Sequence, residues 1–197
     1  MDRQETFTYI IIAFVLFICL RIYKESDTFN LKCILSDIDG NKYCVRDRVL
    51  TQPAADLLAK TVVKMKQFIM YMKKHHPDNN ITKRLVSGFN PKKCMETLPT
   101  STHKAYSENK GEKLAFCLNA TDKGSKLIDE NTLMFVALHE LTHIGTDEVG
   151  HTALYWKNFK FVLENAVSQG IYKPIDYKNK PQNYCGMTIT DNPYYDA

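Results

Sequence analysis

The segment from Asn131 to Gly145 is apolar on nearly every side, yet it carries three ionisable side chains, His139, Glu140 and His143, in the order His139-Glu140-Leu141-Thr142-His143. No other stretch restricts the fold so tightly. Asp129 is a good N-cap, Glu130 adds negative charge to a first turn and Gly145 is a C-terminal stop, so the pattern predicts a helix. Leu133, Met134, Phe135, Val136, Ala137, Leu138, Leu141 and Ile144 leave that helix no solvated face. A helix of this kind runs through the middle of a domain rather than over its surface. His139, Glu140 and His143 then need partners, because burying polar groups unpaired is costly.

A metal ion supplies such partners. Residues four apart lie on one helical face about one turn apart, so both imidazoles can reach a single ion. Zn–N bonds of about 2.0–2.1 Å suit that separation. Glu140 projects towards the open side of the metal, where it can accept a proton from water that the ion acidifies. A catalytic zinc takes three protein ligands and keeps one position open. His151 is the best third ligand, since it follows Gly150 and opens the next helix, so the loop 145–150 can fold it back. Asp147, Glu148 and Glu164 remain alternatives, while His75, His76 and His103 read as exposed polar residues.

The N-terminal run Phe7 to Leu20 has Thr8 as its one clearly polar residue, and Ile22 and Tyr23 extend it past Arg21. At about 1.5 Å per residue the stretch 7–23 spans roughly 25 Å, enough for a bilayer if Arg21 snorkels. No small-x-small cleavage site follows it, so a retained anchor is expected over residues 1–25 and a single globular domain over 26–197. Basic residues flanking the span weakly favour the domain on the cytoplasmic side.

Beyond the anchor, Leu31 to Arg48 reads as two strands around the turn Asp39-Gly40-Asn41. A helix opening at Pro53 buries Ala54, Leu58, Val62, Met65, Phe68, Ile69 and Met72, and stops before Pro77. Leu85-Val86 is expected to begin a short strand, residues 107–113 a turn, and Leu114 to Leu118 a strand ended by the loop 119–124. A last helix, about 152–168, carries the stripe Trp156, Phe159, Val162, Leu163, Ala166 and Val167, expected to be core. The tail from Ile171 reads as an extended wrap.

Cys19 lies in the span and five cysteines follow, with no C-x-x-C pair, which excludes a cysteine zinc ribbon. Cys33 and Cys44 can approach across the hairpin, but pairing about Asp39-Gly40 does not set them opposite each other, so free thiols are expected. Residues 31–128 carry eighteen basic against nine acidic side chains. These lysines are scattered rather than clustered, so nucleic acid is not an expected partner.

His139-Glu140-Leu141-Thr142-His143, then Gly150-His151 and an aromatic helix with Tyr155-Trp156 and Phe159, resembles the SprT and WLM group of zinc metallopeptidases. More narrowly, the stretch from about Cys33 to Tyr195, including Tyr184-Cys185-Gly186-Met187, is similar to the WLM-like predicted metallopeptidases of large DNA viruses. The resemblance implies that His139, His143 and His151 bind Zn2+ and that Glu140 is the general base. Val149 stands where metzincins place their third histidine, so the metzincin pattern does not apply. The DNA- and ubiquitin-binding tails of the crosslink proteases have no counterpart in these 197 residues, so that substrate class does not carry over.

The expected architecture is thus an α+β, zincin-like domain: a small sheet beside the H-E-x-x-H helix, preceded by one transmembrane helix. Residues 114–118 are expected to line the cleft and offer an edge to a peptide or protein substrate. Tyr106, Tyr177 and Tyr184 are candidate oxyanion helpers, and Met187 is expected to be core rather than a floor under the metal. The alternative is a virion structural or assembly protein that retains the zincin fold near a lipid layer, with virion or capsid proteins as partners.

Overall fold

A computed structural model describes residues 3–25, 31–99, 101–121 and 126–196. Helix α1 (Arg3–Glu25) contains the apolar stretch Gln4–Tyr23, none of which is buried. The stretch 26–30, where anchor and domain are expected to join, lies outside the described residues.

The hairpin β1 (Leu31–Leu35) and β2 (Lys42–Arg46) leads into α2 (Thr51–His75), then α3 (Asn80–Gly88) and β3 (Cys94–Glu96). Strands β4 (Ala105–Glu108) and β5 (Lys113–Phe116) precede α4 (Glu130–Gly145) and α5 (Ala153–Ser168), and the hairpin β6 (Gln182–Tyr184) and β7 (Met187–Ile189) ends the set. The order β1-β2-β3-β5-β4 makes one five-stranded mixed sheet, with the β2–β3 and β3–β5 pairs parallel. All seven apolar positions expected on the 53–74 helix are buried, sandwiched between the sheet and α4. Helix α4 buries residues on all its sides, as its sequence requires.

Four expectations are corrected. Residues 85–86 are helical, because the Asn79 side chain caps α3 by accepting from the Ile81 N–H (2.9 Å), while Ile81 and Leu85 bury one face. Strand β5 is flanked by β3 and β4, so its edges are used, and β4 is the edge strand. Residues 107–108 belong to β4, and the turn is confined to residues 109–112, of which Asn109, Lys110 and Gly111 take positive φ. The described part of the loop 119–124 includes Asn119 to Thr121; residues 122–125 lie outside the described set.

The free thiols are the fourth. Cys33–Cys44 and Cys117–Cys185 are disulfides. The Ser36 N–H donates to the Asn41 carbonyl (2.9 Å), so the hairpin closes around Ser36–Asn41 and the register becomes Leu35↔Lys42, which sets Cys33 opposite Cys44. A tight turn at Asp39-Gly40 would shift that pairing, and register errors move every cross-strand partner. Cys94 stays free and buried, its thiol pushed up to about 12 by desolvation.

The tail does more than wrap. Tyr172, Tyr177 and Tyr184 are all buried in the main core, and Asn192 donates to the Tyr172 hydroxyl (3.0 Å) and the Ile175 carbonyl (2.8 Å). Cys185 ties the β6–β7 turn to the end of β5, beside the site.

Candidate metal centre

Helix α4 projects His139 and His143 from one face, and the loop after it returns His151 to them. The three Nε2 atoms form a near-equilateral triangle with sides of 3.2, 3.2 and 3.0 Å. Hydrogen bonding alone cannot satisfy that triangle. A neutral imidazole Nε2 carries either one hydrogen or one lone pair, so among three rings at least two present the same group to each other. Three nitrogens bound tetrahedrally at about 2.0–2.1 Å from one ion stand roughly 3.3–3.4 Å apart, within a few tenths of an ångström of the triangle. A shared cation therefore fits the donors. Burial, then the imidazoles of His143 and His151, lowers His139 to about 3, and burial, then His151 and the Lys110 ammonium, lowers His143 to about 4, keeping both neutral as ligands must be.

The loop that delivers His151 is fixed at several points. The Lys110 ammonium donates to the carbonyls of His143 (3.2 Å), Thr146 (2.7 Å) and Glu148 (2.9 Å). Lys110 can reach them because Gly111, at φ +108°, packs its backbone on Gly88, where an added Cβ would lie 2.4 Å from the Gly88 oxygen. Asn158 donates to the Thr146 hydroxyl (3.0 Å), and Gly150 takes φ +86° just before His151. The rival ligands are placed elsewhere. Asp147 pairs with Arg84 at 2.7 Å, and neither Glu148 nor Glu164 joins the cluster of potential ligands.

Helix α5 supplies an aromatic bed. Tyr155, fully buried, stacks on His143 (centroids 4.4 Å) and donates to the His139 carbonyl (3.2 Å). Phe159 meets His139 edge-on at 5.3 Å, and Trp156 stacks on His151 at 5.5 Å. Trp156 was expected in the core but is 43% exposed; the buried stripe runs through Tyr155, Phe159, Val162, Leu163 and Ala166. Tyr155 is the residue that spacing could have found, four before Phe159. Met187 is neither core nor floor, being 49% exposed on the wall of a neighbouring cavity.

Glu140 faces the junction of two cavities, both lined by Ala105, His139 and Glu140. Its burial pushes the carboxyl up to about 8. A cation on the adjacent histidines opposes that shift by favouring the ionised form. Of the candidate helpers, Tyr106 lines the second cavity and Tyr184 the first, with its hydroxyl donating to the Lys104 carbonyl (3.2 Å). Tyr177 packs against Phe135 in the core at 4.9 Å. His103, set aside in the sequence, also lines the first cavity; His75 is exposed, and His76 is half-buried, hydrogen-bonded to Asn165 at 2.8 Å.

The chain is 28% identical over 186 residues to an uncharacterized protein of Acanthamoeba polyphaga mimivirus, spanning 92% of this chain and 91% of that one. An uncharacterized protein of Invertebrate iridescent virus 6 is 36% identical over 85 residues (42% of this chain, 45% of that one). One from Invertebrate iridescent virus 3 is 37% identical over 67 residues (33% and 40%). These relatives are viral. No protein-family model and no solved structure matches the chain.

Proposed function

We propose that this chain is a membrane-anchored, zinc-dependent metallopeptidase of the zincin type, resembling the SprT and WLM group. The observation that carries the reading is the triangle of Nε2 atoms, 3.0–3.2 Å on a side, with the buried carboxyl of Glu140 beside it. His139, His143 and His151 hold the ion. When bound, zinc polarises a carbonyl oxygen and makes a water molecule more acidic. Glu140 accepts the proton of the attacking water and passes it to the leaving amine, so its buried carboxyl works as base and then acid. The outer edge of β4 offers backbone groups to an extended substrate. Tyr106, on the wall of the cavity that the three histidines share, is the candidate donor to a developing oxyanion, since the Tyr184 hydroxyl already donates to the Lys104 carbonyl.

Helix α1 supports attachment to a lipid bilayer: Gln4–Tyr23 has a mean hydropathy of 2.1 and is wholly unburied. Two disulfides favour a non-reducing compartment for the domain, against the cytoplasmic side that the flanking charges favour. Viral relatives and a lipid-seeking helix also suit a second reading, a virion structural or assembly protein with a metal site kept for stability.

One substitution separates the two. Glu140→Gln keeps the histidines and removes the proton acceptor, so it should retain metal and fold while cleavage of a peptide library drops by about two to four orders of magnitude. Cleavage by neither protein, with zinc present in both, would favour the structural reading. Equal cleavage by both would refute the role of Glu140.

A further inference from the structure

Two Asn-x-Thr triplets occur in the sequence, Asn80-Ile81-Thr82 and Asn119-Ala120-Thr121. This is the pattern at which an asparagine side chain can take an N-linked glycan. The structure separates the two. Asn119 is 5% exposed, bridges to Leu127, and its carbonyl accepts from the Cys185 N–H (3.1 Å). A sugar on that side chain would displace close-packed neighbours. Asn80 is exposed on the first turn of α3, where the capping bond is made by Asn79, so the helix does not need the Asn80 side chain. There is room beside it. Asn80 lines a surface cavity of about 550 Å3 together with Asp78, Arg84, Asp147, Lys157 and Asn158. Sugar hydroxyls both donate and accept hydrogen bonds, and these side chains offer partners of each kind.

The third residue of the exposed triplet is informative in a different way. Thr82 is 1% exposed, and its hydroxyl has no hydrogen-bond partner in the fold. A buried hydroxyl without a partner costs stability, and valine would occupy nearly the same space without that cost. The hydroxyl is reachable only in the unfolded chain, which is the state in which a growing protein receives its glycan. The disulfides Cys33–Cys44 and Cys117–Cys185 give independent ground, since such bonds form and persist in the oxidising compartments where glycans are attached.

We propose that Asn80 is an N-glycosylation site and that the globular domain accordingly lies on the exoplasmic side of the membrane. The Asn80 Nδ2 attacks the anomeric carbon of a lipid-linked oligosaccharide. A C–N bond forms, the anomeric C–O bond breaks with its electron pair leaving on the lipid pyrophosphate, and one amide proton passes to a base on the transferase. The host secretory pathway supplies both the sugar donor and the transferase. The membrane side rests on the reading of α1 as an anchor; nothing in the proposal depends on the peptidase reading.

The test expresses the full-length chain in animal cells and treats carbonate-washed membranes and the supernatant with peptide N-glycosidase. The unmodified chain should show the mobility shift of one glycan, in the membrane fraction. Asn80→Gln and Thr82→Val should each abolish the shift, and mass spectrometry should place the sugar on the peptide that contains Asn80. Because the glycan is added before folding, a variant that folds poorly still reports on the site. Thr121→Ala, at an exposed residue of the other triplet, should leave the shift unchanged. A membrane-bound chain without any shift overturns the proposal and leaves the anchor reading intact. A shift that persists in Asn80→Gln, or is lost in Thr121→Ala instead, also overturns it. A glycosylated chain found only in the supernatant sustains the site and removes the anchor.

Discussion

Helices α1 and α4 are the two most apolar segments of the chain, and the structure treats them oppositely. Residues 4–23 of α1 are unburied throughout, whereas α4 buries Leu133, Leu138, Leu141 and Ile144 among α2, α3 and α5. Composition alone does not separate them, because a membrane span and a central helix are both apolar all round. The polar residues do. In α4 they recur at the spacing of metal ligands and find one another, while the stretch 7–20 of α1 has only Thr8, whose hydroxyl donates back to the Gln4 carbonyl (2.9 Å). Apolar surface says that a helix avoids water; the placement of its few polar groups says what it meets instead.

The sharpest way to break this comparison is to remove one helix. Deleting residues 1–25 should move the protein wholly from a carbonate-washed membrane pellet to the soluble fraction while its circular dichroism still reports a folded domain. A full-length protein that is already soluble would place α1 in the same class as α4.

A smaller change tests the same contrast residue by residue. Leu138→Ala empties a fully buried site in α4 and should destabilise the domain by about 2–5 kcal/mol. Leu16→Ala, in exposed α1, should leave the unfolding midpoint of the domain unchanged. Chemical denaturation of both in the same detergent gives the answer, and a matching loss in the two would show that α1 packs on the body.

Most of what the sequence makes legible lies where one local rule acts. The α4 pattern, its Asp129 cap, the 53–74 stripe and the return of His151 after Gly150 are each set by neighbours in the chain. The unread features depend on distant partners. Register across the 36–41 loop decides whether Cys33 meets Cys44, and Cys117 finds Cys185 across a separation of 68 residues. That β4, and not β5, borders the cleft follows from sheet order, which no local pattern carries. Trp156 leaves the core because His151 offers it a ring to stack on, a contact invisible until the loop is built.

The central claim is that His139, His143 and His151 share one ion, and metal content measures it directly. Full-length protein purified without chelator should carry about one zinc per chain, and His143→Ala, properly folded, should lose most of it. A wild-type protein that is well folded, free of metal and unable to take up added zinc would contradict the account.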